Sequence, residues 1–282
     1  MRENILLEAK ANRFAVGAFN VNTYDEMIAI ADEAQKRNLP VIIMASMSSA
    51  KFFGISTFAK LCKVLNEEYS TPIISHLDHC TKPELLLECA SAGFDSVMYD
   101  GSHGLYEDNI AVTRKLADEC HRMGVFIEAE LGIIQGEEGP VKSAFSEFTD
   151  PDYVADFAKR THLDSLAVSI GNAHGFYKGV PEIHFDLLQM IKENIPDVPL
   201  VLHGGTGIPQ KDIRKAITMG ITKVNVGTEI RAAYVRGIKE YVAQHGADAD
   251  VRPFVLALRE SIASSAAKYM DCFDCRNYVE GE

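Results

Sequence analysis

The sequence is short of basic charge: 28 Lys and Arg stand against 40 Asp and Glu, for a formal charge of −12 at pH 7. That balance argues against nucleic acid or an anionic membrane as the main partner. It leaves room for an anionic small molecule, because a local site can be positive on a negative surface. No apolar run approaches the ~18 residues that would span a bilayer. Residues 1–15 carry Arg2, Glu3, Glu8, Lys10 and Arg13 and do not read as a secretory leader. Of the six cysteines only Cys272 and Cys275 form a CxxC, and no second pair completes a zinc site. Reduced thiols in a soluble, cytoplasmic protein are therefore expected. There is no GxGxxG after the first strand-like run and no P-loop, which argues against a nucleotide cofactor. No Pro/Gly/Ser linker, low-complexity tract or shift in composition divides the chain, so a single domain over 1–282 is expected.

What is present is length, apolar content and a repeating pattern. A chain of 282 residues can bury roughly three quarters of its unfolded surface. Its 47% hydrophobic and 24% charged residues are a globular balance, so the core needs no staples. Apolar or β-branched runs at 15–21, 40–46, 72–78, 95–101, 125–132, 165–171, 199–205 and 223–229 predict eight strands. Segments of helical period lie at about 23–37, 56–68, 83–91, 106–123, 151–160, 184–194, 209–219 and 229–244, with one more at 251–270. Thr23, with Glu26 three residues on, reads as a helix cap. Strands apolar on both faces belong to a parallel sheet covered by helices. Eight such units predict an α/β fold, a closed (β/α)8 TIM barrel with a C-terminal helical extension. A doubly wound open sheet is the rival. The longest connection, 132–151, has the length of a lid or binding loop.

In such a barrel the chemistry lies at the C-terminal ends of the strands. The third run ends in Asp78 and His79, and the fourth runs from Asp100 to His103. The fifth carries Glu128 and Glu130, and the sixth leads through Gly171 and Asn172 to His174. The seventh ends in His203, Gly204 and Gly205, and the eighth carries Asn225 and Thr228. A lone histidine at a strand end is more often structural than a ligand. Three of them, His79, His174 and His203, converging on one mouth, suit a catalytic divalent metal with an open fourth position, zinc first. Asp78, beside one of these, suits general acid–base work. Asp100 suits orienting a histidine, and Glu130 suits a spare metal position. His103 reads as a supporting or loop residue, and His76, His121, His162, His184 and His245 as structural or surface ones. Glu137 and Glu138 read, on their own, as a solvated turn. Lys223 opens the eighth run, at the end away from the expected chemistry.

The glycines point to phosphate. GGTG at 204–207, followed by Ile208, Pro209 and a helix, offers backbone N–H groups and a helix N-terminus to a dianion. NVGTE at 225–229 supplies a second turn, with Gly227 and the Thr228 hydroxyl. Turns on the last two strands are the usual phosphate position of this fold.

These residues resemble a known family. LDHC (77–80), SVMYDGSH (96–103), EAELGIIQGEEG (128–139), IGNAHGFYKG (170–179), LHGGTGIP (202–209) and KVNVGTE (223–229) are similar, in order, to the motifs of class II, metal-dependent ketose-bisphosphate aldolases. That family includes the fructose- and tagatose-1,6-bisphosphate enzymes. The resemblance implies that His79, His174 and His203 hold a catalytic Zn2+. Asp78 would exchange the proton of the C4 hydroxyl, and Glu138 in the long loop would move the proton at C3. Glu130 would be an alternate metal position. Gly175, Lys178, Gly204, Gly205, Thr206 and Thr228 would surround the phosphate of the dihydroxyacetone half, with a monovalent cation, Na+ or K+, nearby. Asn225 would contact the enediolate, and Asn20 and Ser46 the substrate. Arg259, in DVRPFVLALRESI, would reach the distal anionic group, where a guanidinium suits phosphate or sulfonate. The metal takes the place of the Schiff-base lysine of the other aldolase class, and a homodimer or homotetramer is implied.

Several positions depart from the common pattern: Gln135 before the loop glutamates, Tyr99, the end of the second strand at ASMSSA, and Gly227. They leave the sugar open among fructose bisphosphate, tagatose bisphosphate and relatives such as a deoxy-ketogluconate phosphate or a sulfosugar phosphate. A barrel metal hydrolase is a reading from another enzyme class, but the first strand lacks an HxH. A catalytically inactive phosphosugar-binding barrel is the non-enzymatic reading.

Overall fold

The computed structural model describes residues 4–134, 136–138, 141–143, 148–246 and 250–276; for 137, 138 and 141–143 it describes the backbone only. The elements run α1 (Ile5–Asn12), β1 (Val16–Asn20), α2 (Tyr24–Arg37), β2 (Val41–Ser46), α3 (Met47–Phe53), α4 (Ile55–Glu68), β3 (Ile73–Cys80), α5 (Pro83–Ala92) and β4 (Ser96–Tyr99). They continue with α6 (Tyr106–Met123), β5 (Phe126–Leu131), β6 (Gly136–Glu138), β7 (Val141–Ser143), α7 (Pro151–Thr161), β8 (Ser165–Val168) and α8 (Phe185–Asn194). The last elements are β9 (Leu200–Leu202), α9 (Gln210–Thr218), β10 (Ile221–Val226), α10 (Thr228–His245) and α11 (Val251–Phe273).

Eight strands close into one parallel barrel in the order β1-β10-β9-β8-β5-β4-β3-β2. Because β1 pairs with both β2 and β10, the sheet has no edge, and the doubly wound alternative is excluded. Helices α2 and α4–α9 connect successive barrel strands, α10 follows the last strand, and α11 packs against α10 and α2 as the expected C-terminal extension. The cap predicted at Thr23 is present: its hydroxyl accepts the Glu26 N–H at 3.3 Å, and the Glu26 carboxylate accepts the Thr23 N–H at 2.7 Å.

Strand alternation divides the core into two parts. Phe19, Ile43, Leu77, Val97, Ile127, Leu166, Leu202 and Val224 face the helices and join one large apolar cluster. Ala18, Ile42 and Met44 form a second cluster with Leu6 of α1, and Met98, Ala167 and Val201 a third. These two smaller clusters occupy the barrel interior, which is usually filled by branched aliphatic layers. Here they flank a buried polar centre made of His76, Glu128 and Lys223.

The structure differs from the sequence reading in four places. The seventh strand is only Leu200–Leu202, because Gly204 turns the chain at φ +64°. The eighth begins at Ile221, so Lys223 is its third residue, in the barrel wall and 1% exposed, not its opening residue. Helices α1 and α3 had no clear period in the sequence; α3 is started by Ser46, whose hydroxyl accepts the Ser49 N–H. The long connection contains the β6–β7 hairpin. All six cysteines are buried and free. No helix among the described residues is long and apolar enough to cross a membrane.

Outside the barrel, the fully buried Phe58 of α4 stacks on Phe94 with centroids 5.2 Å apart. Replacing Phe94 by alanine is expected to cost about 3–5 kcal/mol through lost transfer energy and a residual cavity. Urea denaturation of wild type and Phe94→Ala measures this; a midpoint unchanged by the substitution contradicts the packing described.

Candidate metal centre and active site

The strand ends meet as expected. His79, His174 and His203 bring one ring nitrogen each to within 4.8 Å of one another. The ring centroids of His79 lie 4.5 Å from His203 and 4.8 Å from His174. His79 and His203 are buried, whereas His174 is half-buried and forms the open side.

The outer nitrogens define the inner ones. Asp100 Oδ2 lies 3.2 Å from His79 Nδ1, and Asp100 also accepts from the Ser102 hydroxyl at 2.6 Å and the Ser102 N–H at 3.1 Å. Burial raises the Asp100 pKa, but the hydrogen bond and charge of His79 and the Ser102 donors outweigh it and hold the group below the usual carboxylate range. On the other ring, Glu128 Oε1 lies 2.9 Å from His203 Nε2. Each carboxylate thus fixes the proton of one imidazole on its outer side. The inner atoms, His79 Nε2 and His203 Nδ1, face each other at 2.6 Å. Two lone pairs at that separation repel unless a proton or cation is shared between them, and two nitrogens bound to one tetrahedral zinc would stand apart by about 3.3 Å, so metal binding would open the pair. Burial and the neighbouring His79 lower the pKa of His203, which disfavours a proton as the permanent bridge.

The sequence marks Glu128 at the strand end without a role, and it places Lys223 at the opening of its strand. Both Glu128 oxygens accept from Lys223 Nζ, at 3.1 and 3.0 Å, and Ser165 donates to one of them at 3.2 Å. Burial would raise the Glu128 pKa, yet Lys223 and His203 hold it well below the normal range. The signal was the period of two. Glu128 and Glu130 share one face of β5, as Lys223 and Asn225 share one face of β10 and His76 and Asp78 one face of β3. Asn172 and Tyr177 were also missed as supports. Asn172 Nδ2 donates to the His203 carbonyl at 3.1 Å, and the Tyr177 hydroxyl donates to the Gly204 carbonyl at 3.2 Å.

Asp78 is fully buried beside the histidines. Asn20 donates to one of its oxygens at 2.8 Å and Asn225 to the other at 3.1 Å. Asp78 and His79 are adjacent, yet both turn to the mouth, because the register of β3 against β4 shifts between Leu77 and Cys80 and His79 sits at φ +45°. Glu130 is buried too, with Oε2 3.7 Å from His79 Nδ1 and no hydrogen bond to that oxygen among the described residues. Burial and the charge of Asp100 push its pKa well above the usual value. With His79 and Asp100 it forms a second set of donor atoms within 4.8 Å of one another. The amide oxygens of Asn20 and Asn225 are likewise buried without partners. Orphaned acceptors concentrated at one mouth fit a site completed by a cation and a ligand with donors.

The glycine turns lie side by side. Gly205 N–H donates to the Asn225 carbonyl at 2.9 Å, and Thr206 accepts the Glu229 N–H at 3.3 Å, joining the loop after β9 to the start of α10. A Cβ on Gly204 would sit 2.0 Å from the Ala173 carbonyl oxygen, so only glycine lets this loop pass the one carrying His174. Gly227 precedes α10 and Thr228 is its first residue; Gly227 has no side chain to cap the helix, and Thr206 accepts from its first turn instead. Gly175 lies in the His174 loop, and Lys178 there is exposed. Ser46 pairs in register with Asp78 at the strand end. Gly136 of β6 rests on the His174 backbone, where a Cβ would meet the carbonyl oxygen at 2.5 Å. This sets the hairpin over the mouth. The side chain of Glu138 lies outside the described residues. His103 is an exposed loop residue. Arg259 is not drawn to the histidines: it pairs with Asp25 at 2.8 Å and lies 6.0 Å from the Tyr24 ring centroid.

Residues 2–278 match the family model described as "Fructose-bisphosphate aldolase class-II". The chain is 37% identical over 263 residues to a fructose-bisphosphate aldolase of Staphylococcus aureus (strain Mu50 / ATCC 700699), covering 92% of each. Among solved structures it resembles the YdjI aldolase from Escherichia coli K12, with TM-score 0.84, 29% identity and coverage of 98% of this chain and 99% of that one. It also resembles a fructose-bisphosphate aldolase from Campylobacter jejuni, with TM-score 0.82, 28% identity and coverage of 96% and 93%.

Two substitutions test the centre. Glu128→Gln is expected to weaken divalent-metal binding about 10–100-fold by loosening His203; competition with a chromophoric chelator reads this, and unchanged affinity refutes the role. Lys223→Met leaves the buried Glu128 carboxylate without its counter-charge and is expected to cost about 3–5 kcal/mol, read as a lowered urea midpoint.

Proposed function

This chain belongs to the class II fructose-bisphosphate aldolase family and is an aldolase, a carbon–carbon lyase, and we propose that it acts with zinc on a ketose 1-phosphate that carries an anionic distal group. Fructose 1,6-bisphosphate and tagatose 1,6-bisphosphate are the leading substrates, cleaved to dihydroxyacetone phosphate and an aldehyde such as glyceraldehyde 3-phosphate. The observation that carries the reading is the inward pair of imidazole nitrogens, 2.6 Å apart with each outer nitrogen at a carboxylate, beside the amide-held Asp78.

His79, His174 and His203 would hold the zinc ion, with Glu130 as an alternate ligand. Bound there, zinc would supply Lewis acidity, drawing off the negative charge that carbon–carbon cleavage leaves next to a carbonyl. Asp78 takes the proton of the C4 hydroxyl as the C3–C4 bond breaks. Each of its oxygens receives one amide N–H, which fixes the plane of the carboxylate toward the substrate. Glu138, carried by the hairpin that rests on His174, returns a proton to C3. The turns at Gly204, Gly205, Thr206, Gly227 and Thr228, with Gly175 and Lys178, bind the phosphate through backbone N–H groups and the start of α10. A monovalent cation, Na+ or K+, offsets charge there. Asn20, Ser46 and Asn225 contact the sugar. Arg259 takes the distal anion once it leaves Asp25. The single domain, the cytoplasmic location and the homodimeric or homotetrameric state belong to the same proposal.

A cleavage screen tests it. Zinc-loaded protein is given fructose 1,6-bisphosphate, tagatose 1,6-bisphosphate and 1-phosphates with sulfonate or carboxylate distal ends, and dihydroxyacetone phosphate release is followed. Release from a bisphosphate, abolished by EDTA and restored by zinc, is expected, and Asp78→Ala should lower kcat by about 10²–10⁴-fold. Release only from a sulfonate or carboxylate substrate would move the specificity to the departures at Tyr99, Gln135 and 45–50. Hydrolysis without aldol cleavage, or no reaction with metal bound, would overturn the proposal.

A further inference from the structure

The opposite end of the barrel holds a second cavity. About 890 Å³ lies between α1 and the N-terminal ends of the strands, within the few-hundred to ~1,000 Å³ range of small-molecule sites. The space has a physical cause. Ser96 of β4 and Ser165 of β8 stand where barrel interiors usually carry branched aliphatics, and they leave the volume unfilled. Ile5, Ile42, Ile74 and Phe126 give the cavity an apolar wall.

Its inner end is polar and built. His76 is 1% exposed, and its Nδ1 lies 2.7 Å from the Ser96 hydroxyl. Its Nε2 is buried with no hydrogen-bond partner among the described residues. Leaving such a nitrogen unpaired costs about 1–3 kcal/mol, which a ligand's polar group would recover. Glu128 and Lys223 also line the cavity but satisfy each other, so their charges cancel. Burial and the Lys223 charge hold the His76 pKa well below its normal value, so the imidazole is neutral. Glu8, Asp95 and Asp164 also line the cavity and would repel an anion, and at the inner end, where Glu128 and Lys223 satisfy each other, any ionic group would lose its hydration without a free counter-charge.

We propose that this cavity is a second small-molecule site, taking an uncharged, mainly apolar molecule with one hydroxyl or similar group that hydrogen-bonds His76 Nε2. A hydroxyl suits either tautomer of His76, donating to a bare Nε2 or accepting from Nε2–H. The site is separate from the mouth, because Asp78 and His79 lie further along β3, beyond the Glu128–Lys223 pair.

The probe is 2-naphthol, added to the full chain both after chelation and with zinc restored, so the outcome does not depend on the catalytic reading. Saturable binding is expected in both states, unaffected by saturating inorganic phosphate. A crystal soaked with 2-naphthol should show it between α1 and β3, with its oxygen at His76 Nε2. Ile74→Trp and, on the outer helix, Ile5→Trp should each weaken binding at least about tenfold, a loss of roughly 1.4 kcal/mol or more. If Ile74→Trp fails to fold, Ile5→Trp and the soaked crystal decide. No saturable binding, water alone in the soaked cavity, or affinity unchanged by the folded variants overturns the proposal.

Discussion

The mouth of this barrel depends on a charge balance struck in its interior. Glu128 is 2% exposed, a position that an unpaired carboxylate could occupy only at a cost of several kcal/mol. Lys223, reaching across the barrel interior from β10, with β9 and β8 between it and β5, makes the position tenable by donating to both oxygens. The carboxylate then has an acceptor site left for His203 Nε2, and that bond turns the other nitrogen of the ring toward His79. Neither partner of the ion pair faces the open mouth. Together they set the tautomer of a histidine that does, and they replace part of the aliphatic layer that would fill a barrel of ordinary composition.

The second constraint is local to β3. In an unbroken strand Asp78 and His79 would point to opposite sides of the sheet. The register shift before Cys80 and the left-handed backbone of His79 put both on the functional side. A non-glycine residue in that conformation is strained by the order of 1 kcal/mol or more. The hydrogen bond from its Nδ1 to Asp100 helps to hold it there. Strain, acid–base candidate and metal-ligand candidate therefore occupy two consecutive residues, so a change at either position disturbs the other.

The barrel was legible in the sequence because its helices and strands follow their own periods, and the three histidines because His79 and His203 close strand runs and His174 follows one within a few residues. The α2 cap was legible because Thr23 and Glu26 act within four residues. What escaped was whatever depends on contacts across the barrel. Lys223 looked like a strand-opening residue because Ile221 and Thr222 before it gave too short a run to mark the true start. Glu128 looked like one of two strand carboxylates, since nothing local distinguishes a residue paired with Lys223 from one facing solvent. Helix α3 was hidden in MSSAKFF, which has no apolar stripe and depends on the Ser46 cap. Arg259 was read through the family pattern, and its bond to Asp25 joins α11 to α2 across 234 residues of sequence.

His79 belongs to both donor sets, but with different nitrogens. Toward His203 and His174 it offers Nε2; toward Asp100 and Glu130 it offers Nδ1. The protein as folded favours the first. Asp100 is held ionised and takes the Nδ1 proton, which leaves the lone pair on Nε2. Glu130, its pKa pushed up by burial and by the charge of Asp100, is the weaker competitor for a cation. To use the second set, a cation would have to displace the proton on His79 Nδ1, and metal binding coupled to proton release weakens as pH falls. The same carboxylates that orient the histidines thus also rank the two sets, with the histidine cluster first and Glu130 in reserve.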